Sequence, residues 1–145
     1  MFDVSTEAVD AMCDIVTVED ALLQLITNSV NAHSTSITIR VSPKTIEVCD
    51  DGNGVSFDGL KLIGSVSCSS SSNRGRSLHS ITRLSEQTII KTRVLNENST
   101  FTKTFTRISS KTHLEDLPES KIIIGDHQSK PGTSVTVKNL FYRVN

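Results

Sequence analysis

The 145-residue chain is long enough for one domain with a substantial core and too short for two independent ones. Its 15 basic and 16 acidic side chains nearly cancel, which excludes general electrostatic steering toward nucleic acid or an anionic membrane. The sequence has no apolar run of the length that spans a bilayer and no basic start of a signal peptide. Three widely spaced cysteines argue against a disulfide framework or a metal site. We therefore expect one soluble intracellular domain, 1–145.

Two helices are predicted before the first strand. Residues 5–12 have a short helical pattern. A stronger helix opens at Thr17, because Thr17 and Asp20 have the spacing of a capping box with Asp in place of Glu or Gln. Apolar residues then recur at three- and four-residue steps as far as about Asn31, which predicts one buried helical stripe, Val18, Ala21, Leu22, Leu25 and Ile26.

A β-hairpin is predicted next. Apolar and polar residues alternate over 37–41 and again over 46–48, and the turn 42–44 lies between them. This alternation is typical of an antiparallel hairpin with one solvated face. The hairpin delivers Asp50 to its far end.

The rest of the chain contains shorter elements around a Ser-rich stretch, 65–72, that has almost no residues suited to a core. Phe101 and Phe105 lie on one face of a strand by their even spacing, which favours core packing over stacking on nucleic acid bases. The predicted fold is an α+β two-layer sandwich, a mainly antiparallel mixed sheet covered on one face by helices. The remaining predicted elements are helices at 57–63 and 76–84 and strands at 88–93, 100–108 and 133–137, with 121–124 as a further candidate.

The first candidate functional segment is the polar stripe of the strong helix. Gln24, Asn28 and Asn31 are four and then three residues apart, so their side chains share one side of the helix. An Asn carbonyl oxygen can bind Mg²⁺ while the amide group donates to a phosphate oxygen. The alternative is an ordinary solvated face of an amphipathic helix.

The second candidate segment is Asp50-Asp51-Gly52-Asn53-Gly54-Val55, which follows the hairpin. A carboxylate at the end of a strand can accept the exocyclic amine of adenine. Gly52 and Gly54 permit a tight turn and close approach of the backbone to a flat ligand. The alternative is that Asp-Gly and Asn-Gly are common turn formers.

The two segments, in this order, carry a family resemblance. Asn28-Ser29-Val30-Asn31-Ala32 resembles the N-box of the GHKL ATPase superfamily, which groups gyrase, large chaperones, histidine kinases and MutL, and Asp50 to Val55 resembles its Asp-x-Gly-x-Gly box. Arg74-Gly75 before Ser77-Leu78-His79-Ser80-Ile81 resembles the end of the MutL lid. Gly132 to Val137 with Leu140-Phe141-Tyr142 resembles the MutL Gly-Thr strand. The local sequence of these segments is most similar to that of the eukaryotic MutL homologue three branch of mismatch-repair proteins.

The resemblance implies a Bergerat-type ATP-binding fold with ATP and Mg²⁺ as cofactors. Asn28 would bind Mg²⁺ and phosphate, and Asp50 would bind adenine. Gly52 and Gly54 would shape the base pocket, and Thr133 would support adenine recognition near Asp50.

The resemblance also implies a phosphate contact at the predicted second-half helix. Gly75, with the helix starting at Arg76, would offer backbone N–H groups and a positive helix end to the phosphates. Arg74 would add a charged contact, although a single loop Arg is often only solvated.

Several positions depart from the family pattern. Gln24 stands where the family has a Glu that acts as general base, and a Gln can orient a water molecule but cannot accept its proton. Arg76 and Ser77 replace the usual Glu and Ala, and the segment between Val55 and Arg74 is shorter than the usual lid. The enzyme assignment is therefore left open, with Gln24 an impaired base position.

The sequence also ends where the first domain of MutL proteins ends, without the second domain that supplies a catalytic Lys. A degenerate relative, a fragmentary gene model and a domain that works with a partner are three open interpretations.

The first function hypothesis is an ATP-binding mismatch-repair domain with weak or absent hydrolysis. It would work in the nucleus with another MutL-family protein as heterodimer partner, and DNA would be contacted through the full assembly. The second is a non-enzymatic interaction module that keeps the fold and binds no nucleotide.

Overall fold

The computed structural model describes residues 17–63, 73–107, 119–125 and 130–141. The predicted helix at 5–12 and the Ser-rich stretch 65–72 lie outside the described residues. The described elements are helices α1 (Val18–Asn31), α2 (Phe57–Leu62) and α3 (Asn73–Leu84) and strands β1 (Ile37–Ser42), β2 (Thr45–Asp50), β3 (Ser85–Arg93), β4 (Thr100–Thr106), β5 (Glu119–Gly125) and β6 (Gly132–Leu140).

Helix α1 begins as its sequence predicts. The backbone N–H of Asp20 donates to the Thr17 hydroxyl at 3.1 Å, and the backbone N–H of Thr17 donates to the Asp20 carboxylate at 2.9 Å. These two bonds complete the capping box. The helix ends at Asn31 and is capped by Ala32, whose N–H bonds back to the carbonyls of Asn28 and Ser29, so the predicted helix is confirmed at both ends.

The six strands form one sheet in the order β1-β2-β6-β3-β4-β5. Each described strand pairing is antiparallel, including the predicted hairpin β1–β2. The sheet is therefore antiparallel among the described strands rather than mixed. Strand β6 lies between β2 and β3, and its Ser134 pairs with Cys49. This register brings the start of β6 beside Asp50 at the end of β2.

The core lies between the helices and one face of the sheet. Helix α1 buries Ala21 and Leu25 there, and α3 buries Leu78 and Ile81. Phe105 is 3% exposed and Phe101 packs against the core, as the even spacing predicted. The α+β two-layer sandwich is confirmed. The sheet residues of the core are Ile46, Val48, Ile90, Phe105, Val135 and Val137.

Helix α3 and strand β3 each begin three residues earlier than the sequence predicts. Helix α3 begins at Asn73, three residues before the predicted Arg76, so Arg74 and Gly75 belong to its first turn. Glycine is a poor helix former in a helix interior, which suggested a loop, but the first turn tolerates it. Strand β3 begins at Ser85 rather than residue 88, because pairing of Ser85 with Leu140 extends the sheet through polar residues.

Among the described helices none is both long and apolar enough to cross a membrane.

Candidate functional site

The Asp50 carboxylate is fixed by three donors from different parts of the chain. The Ser29 hydroxyl of α1 donates to Oδ2 at 2.7 Å. The backbone N–H groups of Gly52 and Thr133 both donate to Oδ1, at 2.9 Å and 3.2 Å. An ionised carboxylate offers about four acceptor positions. These three bonds therefore leave capacity for one more donor at Oδ2, which is what an exocyclic amine supplies.

The loop that follows Asp50 is tied to three neighbouring segments. The N–H of Asn53 donates to the Ala32 carbonyl at 2.9 Å, and its carbonyl accepts from Leu95 at 3.1 Å. The N–H of Val55 donates to the Thr92 hydroxyl at 2.8 Å. Gly54 has a φ of +80°, and a Cβ placed on it would lie 2.2 Å from the carbonyl oxygen of Arg93. The loop is therefore packed backbone against backbone at Gly54, which requires a glycine there whether or not a ligand binds.

Gly132 brings strand β6 equally close to the end of β2. Its φ is +134°, and a Cβ built on it would lie 2.0 Å from the Asp50 carbonyl oxygen. This close approach lets the next residue, Thr133, direct its backbone N–H at the Asp50 carboxylate. Gly132 was not among the predicted site residues, although the Gly-Thr pair was part of the motif.

Two buried hydroxyl groups connect the loop to β6. The Thr92 and Thr133 hydroxyl oxygens are 2.9 Å apart, and Thr92 Oγ1 lies 3.3 Å from the Gly132 carbonyl oxygen. Thr92 is 0% exposed and Thr133 is 5% exposed. The predicted residue Thr133 is thus part of a network that reaches Val55 through Thr92.

The predicted residues of α1 take different positions. Asn28 is buried and lines the same cavity as Asp50 and Thr133. Gln24 lies one helical turn earlier and is half-buried, and it is outside the residues that line this cavity. Asn31 is exposed. The predicted polar stripe is therefore divided, with Asn28 facing the site and Asn31 facing solvent.

The cavity between α1, α3 and the sheet has a volume of about 10 Å³. A space of that size holds roughly one water molecule. Small-molecule sites typically measure about 300 to 1,000 Å³, so a purine ring would enter this cavity only if the surrounding side chains moved apart. Asp50 and Thr133 also line a second cavity, with a volume of about 340 Å³. The polar lining residues of the smaller cavity are Asn28, Ser29, Asp50 and Thr133, and its apolar ones are Leu25, Val48, Val55, Ile63, Leu78, Ile90 and Val135.

A buried lysine fixes the far wall of this cavity. Lys103 is 5% exposed, and its ammonium group donates to the backbone carbonyls of Leu60, Lys61 and Ile63 at 2.9, 3.2 and 2.8 Å. The carbonyls of Leu60 and Lys61 belong to the last turn of α2 and that of Ile63 to its C-cap, where a cation is favoured by the helix dipole. Ile63 also lines the cavity, so Lys103 positions one of its walls.

The carboxylate of Asp51, next to Asp50, binds a different segment of the chain. Its carboxylate accepts from the backbone N–H groups of Thr35 and Ser36 at 2.8 and 2.9 Å and from the Thr35 hydroxyl at 2.6 Å. The Thr35 hydroxyl bond and these backbone bonds hold the pKa of Asp51 below its ordinary value. Asp51 therefore anchors the loop before β1 and does not line the cavity.

Arg74 and Gly75 lie in the first turn of α3. The first four N–H groups of a helix have no partner within the helix. The backbone N–H of Gly75 is one of these groups, and a phosphate could accept from it. The side chain of Arg74 lies outside what the structure describes.

The structure thus brings Asn28, Asp50 and Thr133 to one cavity and places Gly52 and Gly54 in the loop beside it. Sequence reasoning missed the positioning residues Ser29, Thr92 and Lys103. The signal for Lys103 was present, because a residue halfway between Phe101 and Phe105 must share their core-facing side of the strand.

The comparisons with known proteins agree with this geometry. Residues 16–124 match the family described as histidine kinase-, DNA gyrase B-, and HSP90-like ATPase. Because the match covers more than half of the chain, the protein belongs to this ATPase family. A search of curated protein sequences finds no match.

Several solved structures have the same fold. The Aquifex aeolicus MutL ATPase domain complexed with ADP has a TM-score of 0.65 and 18% identity, covering 88% of this chain and 44% of that one. The N-terminal domain of a DNA repair protein has a TM-score of 0.70 and 16% identity, covering 94% and 40%. The 43K ATPase domain of Thermus thermophilus gyrase B has a TM-score of 0.60 and 17% identity, covering 82% and 32%. The chain spans less than half of the length of each structure.

The residues of the site fit the nucleotide part of the family's chemistry better than the metal part. The Asp50 carboxylate and the Thr133 hydroxyl suit the polar edge of an aminopurine. Within the described residues no cluster of His, Cys, Asp and Glu could hold a metal ion. Mg²⁺ often keeps several waters and binds few protein ligands besides phosphates, so Asn28 would supply one oxygen to it.

Proposed function

We propose that this chain is an ATP-binding domain of a MutL-like mismatch-repair protein that retains nucleotide binding and hydrolyses ATP weakly or not at all. The observation that carries the proposal is the Asp50 carboxylate, oriented by Ser29, Gly52 and Thr133 with acceptor capacity left toward the cavity. Asp50 would accept the adenine amine. Asn28 would bind Mg²⁺ and a phosphate oxygen, and Gly75 would offer its N–H to the phosphates, with Arg74 as a charged contact.

Weak hydrolysis follows from Gln24. A general base typically contributes about a hundred- to ten-thousand-fold to the rate, and a neutral amide cannot accept a proton from the attacking water. Nucleotide binding would then act as a signal that controls association with a partner. By resemblance this partner is another MutL-family protein in a nuclear heterodimer, with DNA contacted through the full assembly, and the nearest branch is MutL homologue three.

A second function is favoured by the size of the cavity. At about 10 Å³ it is closed around its aliphatic side chains, which suits a non-enzymatic interaction module that keeps the sandwich and binds no nucleotide. The two functions differ in whether the cavity opens for a ligand.

Calorimetry of the protein with Mg²⁺ and a non-hydrolysable ATP analogue tests the proposal. Wild type should release or absorb heat with a single site, and Asp50→Asn should weaken binding roughly a hundredfold, because a buried site built to accept an amine loses a charged acceptor. Asp51→Asn is the matched control, since the same change is made on a neighbouring carboxylate whose oxygens accept from Thr35 and Ser36, and it should bind like wild type. No binding heat in any of the three proteins would favour the interaction module instead.

A further inference from the structure

The face of the sheet that points away from the described helices is polar and accessible. Side chains alternate between the two faces of a strand, and the core residues of the sheet point toward the helices. The residues between them form the opposite face, which we call the open face, and none of them is buried. The strand registers assign to the open face every second residue of 38–42, 45–49, 87–93, 102–106, 119–123 and 134–138.

Positive charge is concentrated on the open face, although the whole chain has a formal net charge of −1. Its only carboxylates are those of Glu47 and Glu119. Glu47 forms an ion pair with Arg40 at 2.8 Å, so Glu119 is the single other carboxylate among the remaining cations of this face. The cationic side chains of the open face are Arg40, Lys91, Arg93, Lys121 and Lys138.

The charge is not uniform across the open face. Near the end of β2, Asp50 and Asp51 line the cavity of about 340 Å³ together with one lysine, Lys130, so the surface is not cationic there. Strands β3, β4 and β5 are separated from β2 by β6. The cationic region is therefore the part of the open face that β6, β3, β4 and β5 form, and we call this part the cationic region below.

Hydroxyl groups flank the lysines of the cationic region. In the strand registers Lys91 lies between Ser134 of β6 and Thr102 of β4, and Lys121 is paired with Thr104. Lysine, serine and threonine side chains are among the groups that donate to phosphate oxygens in protein–DNA complexes. This composition is complementary to a polyanion with many acceptor oxygens, which is the chemistry of a phosphodiester backbone.

The open face lacks the groups that read or stack on bases. None of its residues is aromatic, because Phe101 and Phe105 point to the helix side of β4. Base stacking on a protein surface requires such rings. Contacts from this face are therefore confined to the backbone, and backbone contacts carry no direct sequence information.

We propose that the cationic region binds the phosphodiester backbone of nucleic acid, in this domain alone and independently of base sequence. The inference goes beyond the proposed function, in which DNA is contacted through the full assembly. It does not rest on nucleotide binding, because the small cavity of the candidate nucleotide site lies between the helices and the other face of the sheet.

The test measures fluorescence anisotropy of two labelled DNA duplexes of unrelated sequence, without nucleotide, over a series of salt concentrations. The variants are Lys91→Gln, Lys121→Gln, Lys138→Gln and the triple combination, and Lys91→Arg keeps the charge. Lys61→Gln is the matched control, because Lys61 is also exposed but belongs to α2 on the helix side. Urea midpoints of all proteins check that folding is unchanged.

Wild type should bind both duplexes equally, and the slope of log affinity against log salt should be about −3 to −4, as expected for four phosphate contacts. Each single glutamine variant of the cationic region should bind roughly threefold to tenfold more weakly and reduce the magnitude of the slope by about 1. The triple variant should lose roughly a hundredfold in affinity. Lys91→Arg and Lys61→Gln should stay within about twofold of wild type.

An equal loss in Lys61→Gln, or full binding by the triple variant, would overturn the assignment to the cationic region. Polyglutamate competing as well as DNA would assign this region to acidic proteins instead. Absence of DNA binding by wild type would overturn the inference and leave the proposed function standing, because calorimetry with the ATP analogue decides that separately. DNA binding without any heat from the analogue would support the inference while the proposed function fails.

Discussion

The two walls of the candidate site are built in different ways. On the sheet wall, Asp50, Thr92 and Thr133 are held by contacts between residues far apart in sequence, and the separation between Asp50 and Thr133 is 83 residues. On the helix wall, Asn28 lines the cavity and Gln24 lies one helical turn before it, at a spacing set by the helical repeat of α1. The geometry of the sheet wall thus depends on tertiary packing, whereas the chemistry of the helix wall depends on individual side chains of α1.

This difference explains how binding and hydrolysis can separate. A change in the sheet wall disturbs backbone packing and is costly for folding. A Glu to Gln change on a half-buried helix position alters the chemistry with little effect on packing, because the two side chains have nearly the same shape. Under the proposed function, the protein would keep the geometry of a base site at Gln24 while lacking the general base.

The largest expected effect on stability comes from a substitution where the backbones of β6 and β2 approach most closely. Gly132→Ala should lower the free energy of unfolding by about 4 kcal/mol, because the added Cβ meets the Asp50 carbonyl and the φ of +134° is unsuited to alanine. Urea denaturation measures this. Gly125→Ala is the control, since a Cβ there meets no atom within 4 Å, and it should change stability by no more than about 0.5 kcal/mol. Similar stabilities of the two variants would contradict the close approach of β6 to β2.

The next effect concerns the wall that Lys103 supports. Lys103→Met should cost about 3 kcal/mol, because three carbonyls at the end of α2 lose a charged donor in a buried position. Lys91→Met removes an exposed lysine from the opposite face of the sheet and should be nearly neutral. A small loss in Lys103→Met would show that α2 and Ile63 are held by packing alone.

The smallest effect is the pH dependence contributed by Asp51. Its pKa is lowered in the folded protein by the Thr35 and Ser36 bonds, so its contribution to stability is complete above the ordinary pKa and is lost as pH falls through the folded pKa. Asp51→Asn should be less stable than wild type at neutral pH, and the two should converge as pH falls through the lowered pKa of Asp51. Urea midpoints across this range measure the difference. A gap that stays constant down to low pH would exclude ionised Asp51 as its source.

Much of the fold was predictable because local sequence patterns determine its helices and strands. The Thr17 and Asp20 spacing predicted the start of α1, and alternation predicted the hairpin and the core position of Phe105. The start of α3 was missed, since Arg74-Gly75 has the local pattern of a loop and only the tertiary structure places it in a helix. The order of the strands, with β6 between β2 and β3, has no local signal.

The placement of several candidate site residues was also predictable, while their roles stay predictions. Asn28, Asp50 and Thr133 were found through motifs and do line one cavity. Thr92 was missed because its importance lies in two partners, Val55 and Thr133, that only tertiary packing brings together. The small volume of the cavity also results from side-chain packing, which no sequence motif predicts.

The most direct test of the separation between binding and hydrolysis compares wild type with Gln24→Glu in two measurements on the same preparations. These are calorimetric binding of the non-hydrolysable ATP analogue with Mg²⁺, and the rate of phosphate release from ATP. Binding should be similar in both proteins, and Gln24→Glu should release phosphate at least roughly tenfold faster, because it restores a group that can accept a proton. Equal release rates would contradict the placement of Gln24 beside the attacking water.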